Sequence, residues 1–440
     1  MLGQISIRGE TAGEIAASVE AAIRESEFEP GSKLPPIRAL ADRLGVSPMT
    51  VASAYSELRR RGLVLAARRR GTRVAERPPL QVRTRVFVPP GARDLATGNP
   101  DPELLPLLSD VVGRIDIPPH DALDEGKLPA LVELARAQFA TDGIPAPAIA
   151  IVGGALDGVE RVLQAHLRPG DRVAVEDPGF VRAYDLLRPL GLQLEPVGLD
   201  GNGPRPDHLQ RALMRGARAV VLTPRAQNPT GAALNAERAE QLRLILRARE
   251  DVLIIEDDHA AGVAGAPAYT VCQQDRPNWS QVRSVSKSLG PDLRLAILAG
   301  DPVTVARVEG RQLLGTGWVS RILQRIVVAL WSDASMRKRL KEVEQIYATR
   351  RQALLDVLAS AGIEGRGRSG FNVVIPVGEE ARIVAGLLQR GWAVTAMERW
   401  RLNSPPAIRI TTSTLKPEEA KELTDDLAAI LNFTPAAYSA

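Results

Sequence analysis

The chain has little of several things that other classes of protein need. One cysteine in 440 residues excludes an internal disulfide framework. Four scattered histidines offer no basis for a structural metal site. Every apolar run is broken well short of a bilayer span, and the first residues lack the basic and apolar segments of a secretory signal. These absences predict a protein without disulfides, metal or a membrane span, located in the cytoplasm.

Charge is what the chain distributes most unevenly. The net charge is only +4, which is ordinary for a globular protein. Residues 33–77, however, hold eleven cations and three anions, so this segment carries +8 and the remainder carries −4. Such asymmetry is typical of a nucleic-acid-binding module attached to a larger body of another kind. A length of 440 residues leaves room for both.

The basic segment has the pattern of three helices and a hairpin. Thr11–Glu14 forms a capping box before an amphipathic stretch. Residues 37–44 and 47–58 repeat apolar side chains at helical spacing, and Gly45 lies between them. Residues 62–75 read as two short strands with a basic tip. The pattern predicts a winged helix-turn-helix, and the alternative is a small helical domain with a solvated arginine-rich loop.

A winged helix-turn-helix inserts its third helix into the major groove. The residues expected to face the bases are therefore those at the N-terminal end of that helix, Ser47, Met49 and Thr50. The basic side chains expected along the phosphates or in the minor groove are Arg68, Arg69, Arg70 and Arg73.

The segments around Arg38, Ser47 and Gly71 closely resemble the GntR family of bacterial regulators. They read Pro-Gly-Ser-Lys-Leu-Pro-Pro-Ile-Arg-Ala-Leu-Ala, Leu-Gly-Val-Ser-x-x-Thr-Val and Gly-Thr. The resemblance implies that Arg38, Ser47, Thr50 and Gly71 contact DNA. Where the family usually has arginine after the cap serine, this chain has Pro48. Proline suits the first helical position, but the substitution removes one phosphate or base contact.

Beyond residue 94 the pattern changes to that of a sheet flanked by helices. Residues 78–94 are bracketed by proline pairs and are interpreted as a semi-extended linker, so the DNA-binding domain spans 1–77. From 95 onward helical stretches alternate with short apolar runs, which predicts an α/β domain with a mainly parallel sheet. The runs are Ile149–Val152, Arg172–Val175, Ala219–Leu222, Val252–Ile255 and Ala296–Ala299.

Residues 284–294 carry the strongest chemical signal of this second domain. Lys287 lies in a cluster of serines that includes Ser284 and Ser286, and Arg294 follows a Gly-Pro turn. A lysine can form a Schiff base with an aldehyde, and hydroxyls with an arginine can bind phosphate. Pyridoxal 5'-phosphate is an aldehyde that carries a phosphate. The alternative for a lysine considered by itself is a solvated surface charge.

Four ends of the predicted strands add features that fit the same cofactor. Glycines at 153 and 154 open a helix whose N-terminus can hold phosphate. Phe180 follows a turn and can stack on a ring, Asn228 can donate to a phenolate oxygen, and Asp257 can keep a pyridine nitrogen protonated. Taken separately, each has an ordinary explanation: a glycine turn, a core aromatic or a solvated acid.

In this order, these features resemble the fold-type-I aminotransferases over residues 95–440. The resemblance implies a smaller C-terminal subdomain from about 335 to 440. It also implies a Schiff-base lysine at Lys287 and a substrate- or effector-carboxylate clamp at Arg409. The other cofactor contacts that it implies are Arg294, Ser284, Ser286, Gly154, Ala155 and Leu156 at the phosphate, and Asp257, Asn228, Phe180 and His259 around the ring. A GntR-like DNA-binding domain joined to an aminotransferase-like domain is the domain organisation of the MocR subfamily.

Three departures from the subfamily pattern favour a sensor over a working enzyme. His259 stands where a tyrosine usually tunes the cofactor, and residues 123–129 lack the tyrosine that usually reaches the phosphate of the partner subunit's cofactor. Arg225 and Ala226 also change the segment that leads to Asn228. We therefore expect a transcriptional regulator of operator DNA. Its effector would be pyridoxal phosphate or the adduct of that cofactor with an amino acid or amine. By resemblance it would be a head-to-tail homodimer. The alternative is a catalytically active aminotransferase with an appended DNA-binding domain.

Overall fold

The structure is a computed structural model that describes residues 7–24, 27–60, 63–67, 71–75, 88–118 and 126–431. Internal contacts divide the chain into two compact units, one built mainly from residues 1–85 and the other mainly from residues 86–440. Arg68, Arg69 and Arg70, and residues 78–87 of the predicted linker, lie outside the described residues. Among the helices of the described ranges, none combines the length and the apolar character that crossing a bilayer requires.

The described part of the N-terminal unit consists of three helices and an antiparallel hairpin. These elements are α1 (Ala12–Arg24), α2 (Ile37–Leu44), α3 (Pro48–Arg60), β1 (Val64–Ala67) and β2 (Gly71–Val74). The predicted capping box is present, since Oγ1 of Thr11 accepts the N–H of Glu14 at 3.3 Å and the Glu14 carboxylate accepts the N–H of Thr11. Gly45, with φ 69°, ends α2. Oγ of Ser47 caps α3 by accepting the N–H of Thr50 at 3.1 Å.

The apolar faces of these helices and of the hairpin close on one core. Its members include Ile15, Val19, Leu40, Val51, Leu58 and Val64, all fully buried. Burying each such side chain stabilises the fold by roughly 1.5–3 kcal/mol. The hydroxyl of Tyr55 also donates to the carbonyl of Pro35 at 2.8 Å, which fixes α3 against the segment before α2. The winged helix-turn-helix predicted from the sequence is confirmed.

The larger unit is organised around an eight-stranded sheet. Its strands are β4 (Ala148–Val152), β5 (Arg172–Asp177), β6 (Gln193–Asp200), β7 (Gly203–Pro204), β8 (Ala217–Leu222), β9 (Leu253–Asp258), β10 (Trp279–Ser284) and β11 (Ala296–Gly300). Their order is β4-β11-β10-β9-β8-β5-β6-β7. The central pairs β10·β9, β9·β8 and β8·β5 are parallel, whereas β11 is antiparallel to both of its neighbours. The predicted α/β class is confirmed.

A second, three-stranded sheet has the order β12-β15-β14. Its strands are β12 (Asn372–Pro376), β14 (Thr395–Ala396) and β15 (Ala407–Thr411), and a separate parallel pair joins β13 (Trp392–Ala393) to β3 (Arg93–Asp94). The last two residues of the predicted linker are therefore part of a strand pair. The core beneath these strands is aliphatic and includes Leu95, Leu354, Val373, Ile408 and Leu423.

Helices cover both sheets. Those of the larger unit are α4 (Ser109–Val112), α5 (Pro129–Thr141), α6 (Ala155–His166), α7 (Val181–Leu187), α8 (Pro206–Met214), α9 (Ala236–Arg247), α10 (Pro302–Leu313), α11 (Arg321–Ser332), α12 (Ala334–Ser360), α13 (Glu380–Gln389) and α14 (Glu419–Leu431). Single turns of 3₁₀-helix lie at Pro102–Leu104, Ala261–Val263, Pro291–Leu293 and Glu398–Trp400. Since parallel strands end at one edge of the sheet, the residues that follow β5, β8, β9 and β10 lie along the same edge.

Candidate functional site

Lys287 lies three residues after β10 ends, in a partly buried position. Its Nζ donates to the carbonyl of Gly98 at 2.7 Å and lies 5.7 Å from the ring centroid of Phe371. Burial, together with the nearby positive charges of Arg409 and Arg182, lowers the pKa of Lys287 to about 8. The amine of Lys287 therefore loses its proton, and becomes nucleophilic, at a lower pH than the amine of an ordinary lysine.

Asp257 lies on β9 opposite Val282 of β10, the strand that leads to Lys287. Its side chain is buried, and Oδ1 has no hydrogen-bond partner among the described residues. Burial, together with the negative charge of Asp258, raises the pKa of Asp257 to about 7. A buried carboxylate oxygen without a donor is costly. A protonated pyridine nitrogen would supply the missing donor, so this residue fits the cofactor that the sequence predicts.

The next residue, Asp258, has the opposite environment. Its oxygens accept hydrogen bonds from Arg225 at 2.9 and 3.0 Å, and Arg283 lies 3.1 Å away. Burial alone would raise the pKa of Asp258, but the charges of Arg225 and Arg283 outweigh it and lower the pKa. Asp258 is thus the centre of a buried ion-pair cluster to which Arg225 belongs. Of the two neighbouring acids, only Asp257 is left with an unused oxygen.

The glycine turn and the arginine that are predicted to bind phosphate lie next to each other. Gly153 and Gly154 join β4 to α6, and Gly154 has a φ of +111° that favours glycine. Nη2 of Arg294 donates to the carbonyl of Gly153 at 3.4 Å. A Cβ atom on residue 154 would lie 3.2 Å from the same Nη2. The N–H groups of Ala155 and Leu156, in the first turn of α6, have no partner within the helix.

The two predicted serines lie on the same turn as Lys287. Ser284 ends β10, and its Oγ lies 3.1 Å from Oγ of Ser286 and accepts the N–H of Ser286 at 3.1 Å. Ser284 also pairs with Ala296, two residues beyond Arg294 on the neighbouring strand. Ser284 and Ser286 therefore lie at the end of β10, and Arg294 lies two residues before the start of the adjacent strand β11. The hydroxyl, guanidinium and helix N-terminus together suit a phosphate.

Arg409 and Asn228 meet on the far side of this edge. Nη1 of Arg409, from β15, donates to Oδ1 of Asn228 at 3.0 Å, which leaves the amide nitrogen of Asn228 available as a donor. Arg409 is 2% exposed, and its guanidinium carbon lies 4.5 Å from the ring centroid of Trp400. Burial lowers its pKa to about 10. Nε of Arg409 has no partner in the described part of the chain, so this buried cation retains capacity for an anion.

The last two predicted ring contacts are placed less directly. The half-buried ring of Phe180 packs against Trp400 with centroids 5.9 Å apart and planes inclined by 45°. His259 follows β9, and burial lowers its pKa to about 4, with the charge of Lys287 acting in the same direction. His259 is therefore neutral near pH 7. Stacking by Phe180 and contact of His259 with the cofactor oxygen remain predictions.

Several residues at this edge were not anticipated from the sequence. Phe371 and the Gly98 carbonyl contact Lys287 from segments that are distant in the chain. Arg182 lies two residues after Phe180, and partial burial of its guanidinium together with the charge of Arg294 lowers its pKa. The sequence feature that could have indicated Arg182 is a cation near the start of a helix that follows a strand end. Arg182 is therefore a second guanidinium near Arg294, the residue predicted to bind phosphate.

Buried Glu176, at the end of β5, fixes the turn that carries Asn228. Its carboxylate accepts the N–H of Thr223 at 3.0 Å and Nε2 of Gln227 at 3.1 Å. Oε1 of Gln227 in turn accepts the N–H and hydroxyl of Thr230 at 2.9 and 2.6 Å. Burial raises the pKa of Glu176 to about 7. The network spans both sides of Asn228 and so orients it.

In the N-terminal unit, the predicted DNA-contacting residues of the described part lie on α2, α3 and β2. Arg38 is exposed on α2, and Met49 is 74% exposed at the start of α3. The hydroxyls of Ser47 and Thr50 are 2.8 Å apart and engage each other. Arg73 donates from Nη1 to the carbonyl of Gly31 at 2.7 Å. Gly71 has a φ of +83° with open space around it.

Comparison with known proteins assigns both units. The family model of bacterial regulatory proteins of the gntR family matches residues 11–74, and that of aminotransferase class I and II matches residues 130–427. A vitamin B6 salvage pathway transcriptional repressor, PtsJ of Salmonella typhimurium, is 40% identical over 97% of this chain and 100% of its own length. A pyridoxine biosynthesis regulator, PdxR of Corynebacterium glutamicum, is 26% identical over 88% of each chain.

Solved structures agree on the fold of the larger unit. A kynurenine aminotransferase of Pyrococcus horikoshii has a TM-score of 0.71 and 20% identity, covering 78% of this chain and 91% of that one. The match of the N-terminal unit to the gntR family, the match of the larger unit to aminotransferases and the full-length relative at 40% identity lead to one conclusion. The chain belongs to the MocR subfamily of GntR-type transcriptional regulators.

Proposed function

We propose that the chain is a DNA-binding transcriptional regulator that holds pyridoxal 5'-phosphate at Lys287 and uses it, or its adduct with an amine or amino acid, as effector. The observation that carries the proposal is the unpartnered, buried Oδ1 of Asp257 on the strand beside the one that leads to Lys287. A structural carboxylate would be expected to have donors, as Asp258 has. A carboxylate whose oxygen accepts a hydrogen bond from a bound pyridinium would have no donor from the chain at that oxygen.

When bound, the cofactor supplies an aldehyde that condenses with amines and a ring that withdraws electrons. The chain's own residues bind and orient it. Arg294, the serines at 284 and 286 and the α6 N-terminus hold the phosphate, and Asp257 fixes the proton on the ring nitrogen. The amide nitrogen of Asn228 donates to the ring oxygen. Lys287, with its lowered pKa, presents a neutral amine to the aldehyde.

Arg409 supports a carboxylate-bearing second ligand. Within the described residues its hydrogen-bond acceptors are uncharged: Asn228, Thr395 and the carbonyl of Ala96. A cation buried among neutral groups is stabilised when an anion arrives. We therefore propose an amino acid, whose amine competes with Lys287 and whose carboxylate pairs with Arg409, as the effector besides the cofactor itself.

The names of the relatives support vitamin B6 supply as the regulated process. PtsJ is named a repressor of vitamin B6 salvage, and PdxR a regulator of pyridoxine biosynthesis. We propose a repressor of the same kind here, acting on DNA in the cytoplasm. A head-to-tail homodimer is part of the proposal, and exposed apolar side chains on the larger unit, such as Leu107, Leu314 and Trp318, support a subunit contact.

A working aminotransferase is the second candidate, and Lys287 together with Asp257 favours it, since both groups serve transamination as well as sensing. One experiment separates the two. Affinity for DNA fragments selected by the protein from a random pool is measured by fluorescence anisotropy with and without pyridoxal phosphate, for the native chain and Lys287→Ala. A regulator changes affinity only in the native chain. Unchanged affinity, with steady conversion of an amino acid to its oxo acid, would establish the enzyme instead.

A further inference from the structure

A cavity of about 880 Å³ lies in the larger unit outside the site just described. β6 and α8 contribute Leu199 and Ala212 to its wall, while β12 and the start of β15 contribute Val374 and Ala407. Neither Lys287 nor the other residues proposed to contact the cofactor line it. Its volume suits a drug-sized organic molecule. Part of its wall is apolar, so it suits a ligand with an apolar body.

Five arginines also line this cavity, and they outnumber the carboxylates that pair with them. They are Arg205, Arg211, Arg215, Arg366 and Arg368. Asp207 is shared, since Arg205 approaches it at 3.3 Å and Arg211 at 2.9 Å. Glu195, which lies 3.6 Å from Arg215, is already paired with Arg172. Arg366 pairs with Glu364 at 2.6 Å, and Arg368 has a neutral side-chain acceptor, Oδ1 of Asn202.

The two acids that line the cavity are already satisfied. The oxygens of Asp177 accept the N–H groups of Leu402, Asn403 and Ser404 at 2.7–3.0 Å, together with the hydroxyl of Ser404. Asp200 is paired with Arg238 at 2.8 Å. The lining therefore has a surplus of guanidinium groups. Such groups bind carboxylate or phosphate in two-pronged geometry.

We propose that this cavity is a second ligand site, for an organic anion that combines an apolar body with a carboxylate or phosphate group. It is distinct from the site at Lys287. The apolar wall holds the body of the ligand, and the arginines hold the charged group at the cavity rim.

The cavity is connected to the cofactor site through two segments. Asp177 and Pro178 line it and lie in the turn before Phe180, whose ring packs on Trp400. Thr230 also lines it and hydrogen-bonds Gln227, the residue before Asn228. A ligand there contacts the segments that position both Phe180 and Asn228. Binding at one site therefore changes affinity at the other, and the coupling is reciprocal. This coupling rests on the proposed function, whereas the binding does not.

The binding test uses 8-anilinonaphthalene-1-sulfonate, an aromatic anion that fluoresces when it leaves water, on the full chain whose cofactor has been fixed by borohydride. We expect one saturable site per chain. Leu199→Trp, which fills the cavity, and Arg211→Gln, which removes one rim cation, should each weaken binding by about tenfold. The control is Arg247→Gln, an exposed cation on α9, which should leave binding unchanged. Equal binding by all four proteins would overturn the proposal.

Competition identifies the charged group. Phenyl phosphate and phenylacetate are each titrated against the bound probe, with benzyl alcohol as the uncharged comparison. Displacement by phenyl phosphate alone assigns a phosphate ligand, and displacement by phenylacetate alone assigns a carboxylate. Displacement by benzyl alcohol at the same concentration would refute the anionic specificity. If the protein fails to hold pyridoxal phosphate but the probe still responds to Arg211→Gln, the proposed function falls and this site stands.

Discussion

Nη1 of Arg409 donates to Oδ1 of Asn228 across 3.0 Å, which joins the three-stranded sheet to the turn after β8. The bond determines which end of the Asn228 amide faces a ligand, because the oxygen is already used. It also places a buried guanidinium next to the residue proposed to bind the cofactor oxygen. One contact therefore links the proposed cofactor site to the proposed carboxylate site.

Arg409→Gln should separate recognition of the carboxylate from recognition of the amine. The cofactor-loaded protein is titrated with alanine and with ethylamine, which lacks the carboxylate, and the absorbance change is followed. We expect alanine to bind about tenfold or more weakly in the variant, because a hydrogen bond to a charged group contributes roughly 1.5–3 kcal/mol. Ethylamine should bind equally to both proteins. Equal losses for the two ligands would exclude the carboxylate role of Arg409.

Asp257→Asn and Asp258→Asn form a matched pair at adjacent positions of β9. Asp258→Asn removes one of the two carboxylates that neutralise the buried guanidiniums of Arg225 and Arg283 and leaves them only Asp142, so the free energy of unfolding should fall by up to roughly 3 kcal/mol. Asp257→Asn should cost little stability in the cofactor-free protein but weaken pyridoxal phosphate binding by about tenfold or more. Urea unfolding and an absorbance titration measure the two effects. The reverse assignment would contradict the proposed site.

The pH dependence of stability gives an independent test of Asp257. Burial raises its pKa to about 7, whereas an unfolded aspartate has a pKa of about 3.9. Between these values the folded chain keeps a proton that the unfolded chain has lost. The contribution of Asp257 is therefore complete below about pH 4 and is lost as pH rises to about 7, by up to roughly 1.4 kcal/mol per pH unit. Urea unfolding of cofactor-free protein should show a flatter profile for Asp257→Asn than for the native chain. Parallel profiles would show that this carboxyl does not titrate as inferred.

The reactivity of Lys287 should depend on pH and on Arg182. Because the pKa of Lys287 is lowered to about 8, the rate of covalent capture of pyridoxal phosphate should rise with pH, reach half of its maximum near pH 8 and level off above it. The positive charge of Arg182 also lowers this pKa, so Arg182→Gln should move the midpoint of the profile to higher pH. Arg247→Gln provides the matched control. A midpoint near the ordinary lysine value in the native chain would refute the account of this amine.

Arginines of the hairpin should set the salt dependence of DNA binding. Arg68→Ala with Arg70→Ala is expected to weaken binding and to reduce the slope of log affinity against log salt by about 2, because each lost phosphate contact removes roughly 0.9. These residues lie outside the described part of the chain, so the prediction rests on their charge and their place in the sequence. Anisotropy titrations at several salt concentrations measure the slope. A slope unchanged by the double substitution would move the phosphate contacts elsewhere.

The sequence predicts the strand ends because side chains that follow parallel strands collect at one edge. It did not predict β10, although this strand leads to Lys287. Four of the six residues at 279–284 are polar, yet all six are buried, because Gln281 donates to Glu256 at 2.9 Å and Arg283 pairs with Asp258. A search for apolar runs misses a strand whose polar side chains are satisfied by a neighbouring strand. The antiparallel direction of β11 likewise has no local signal.

Contacts between segments that are distant in the chain also could not be predicted from the sequence. Arg409 and Asn228 are 181 residues apart, and no spacing rule relates them. The partner of Phe180 is Trp400, so its predicted stacking on a cofactor ring depends on an arrangement of two sheets that local pattern does not encode. The difference between Asp257 and Asp258 arises from Arg225, in the turn after β8, and Arg283, on β10, although the two acids are adjacent in sequence.

The most direct test of the central claim is to fix the cofactor to the protein and find the residue that carries it. The full chain is incubated with pyridoxal phosphate, reduced with borohydride, digested and analysed by mass spectrometry. We predict one phosphopyridoxyl group on the peptide that contains Lys287, and none in Lys287→Ala. Label scattered over surface lysines, or unchanged in the variant, would contradict the account.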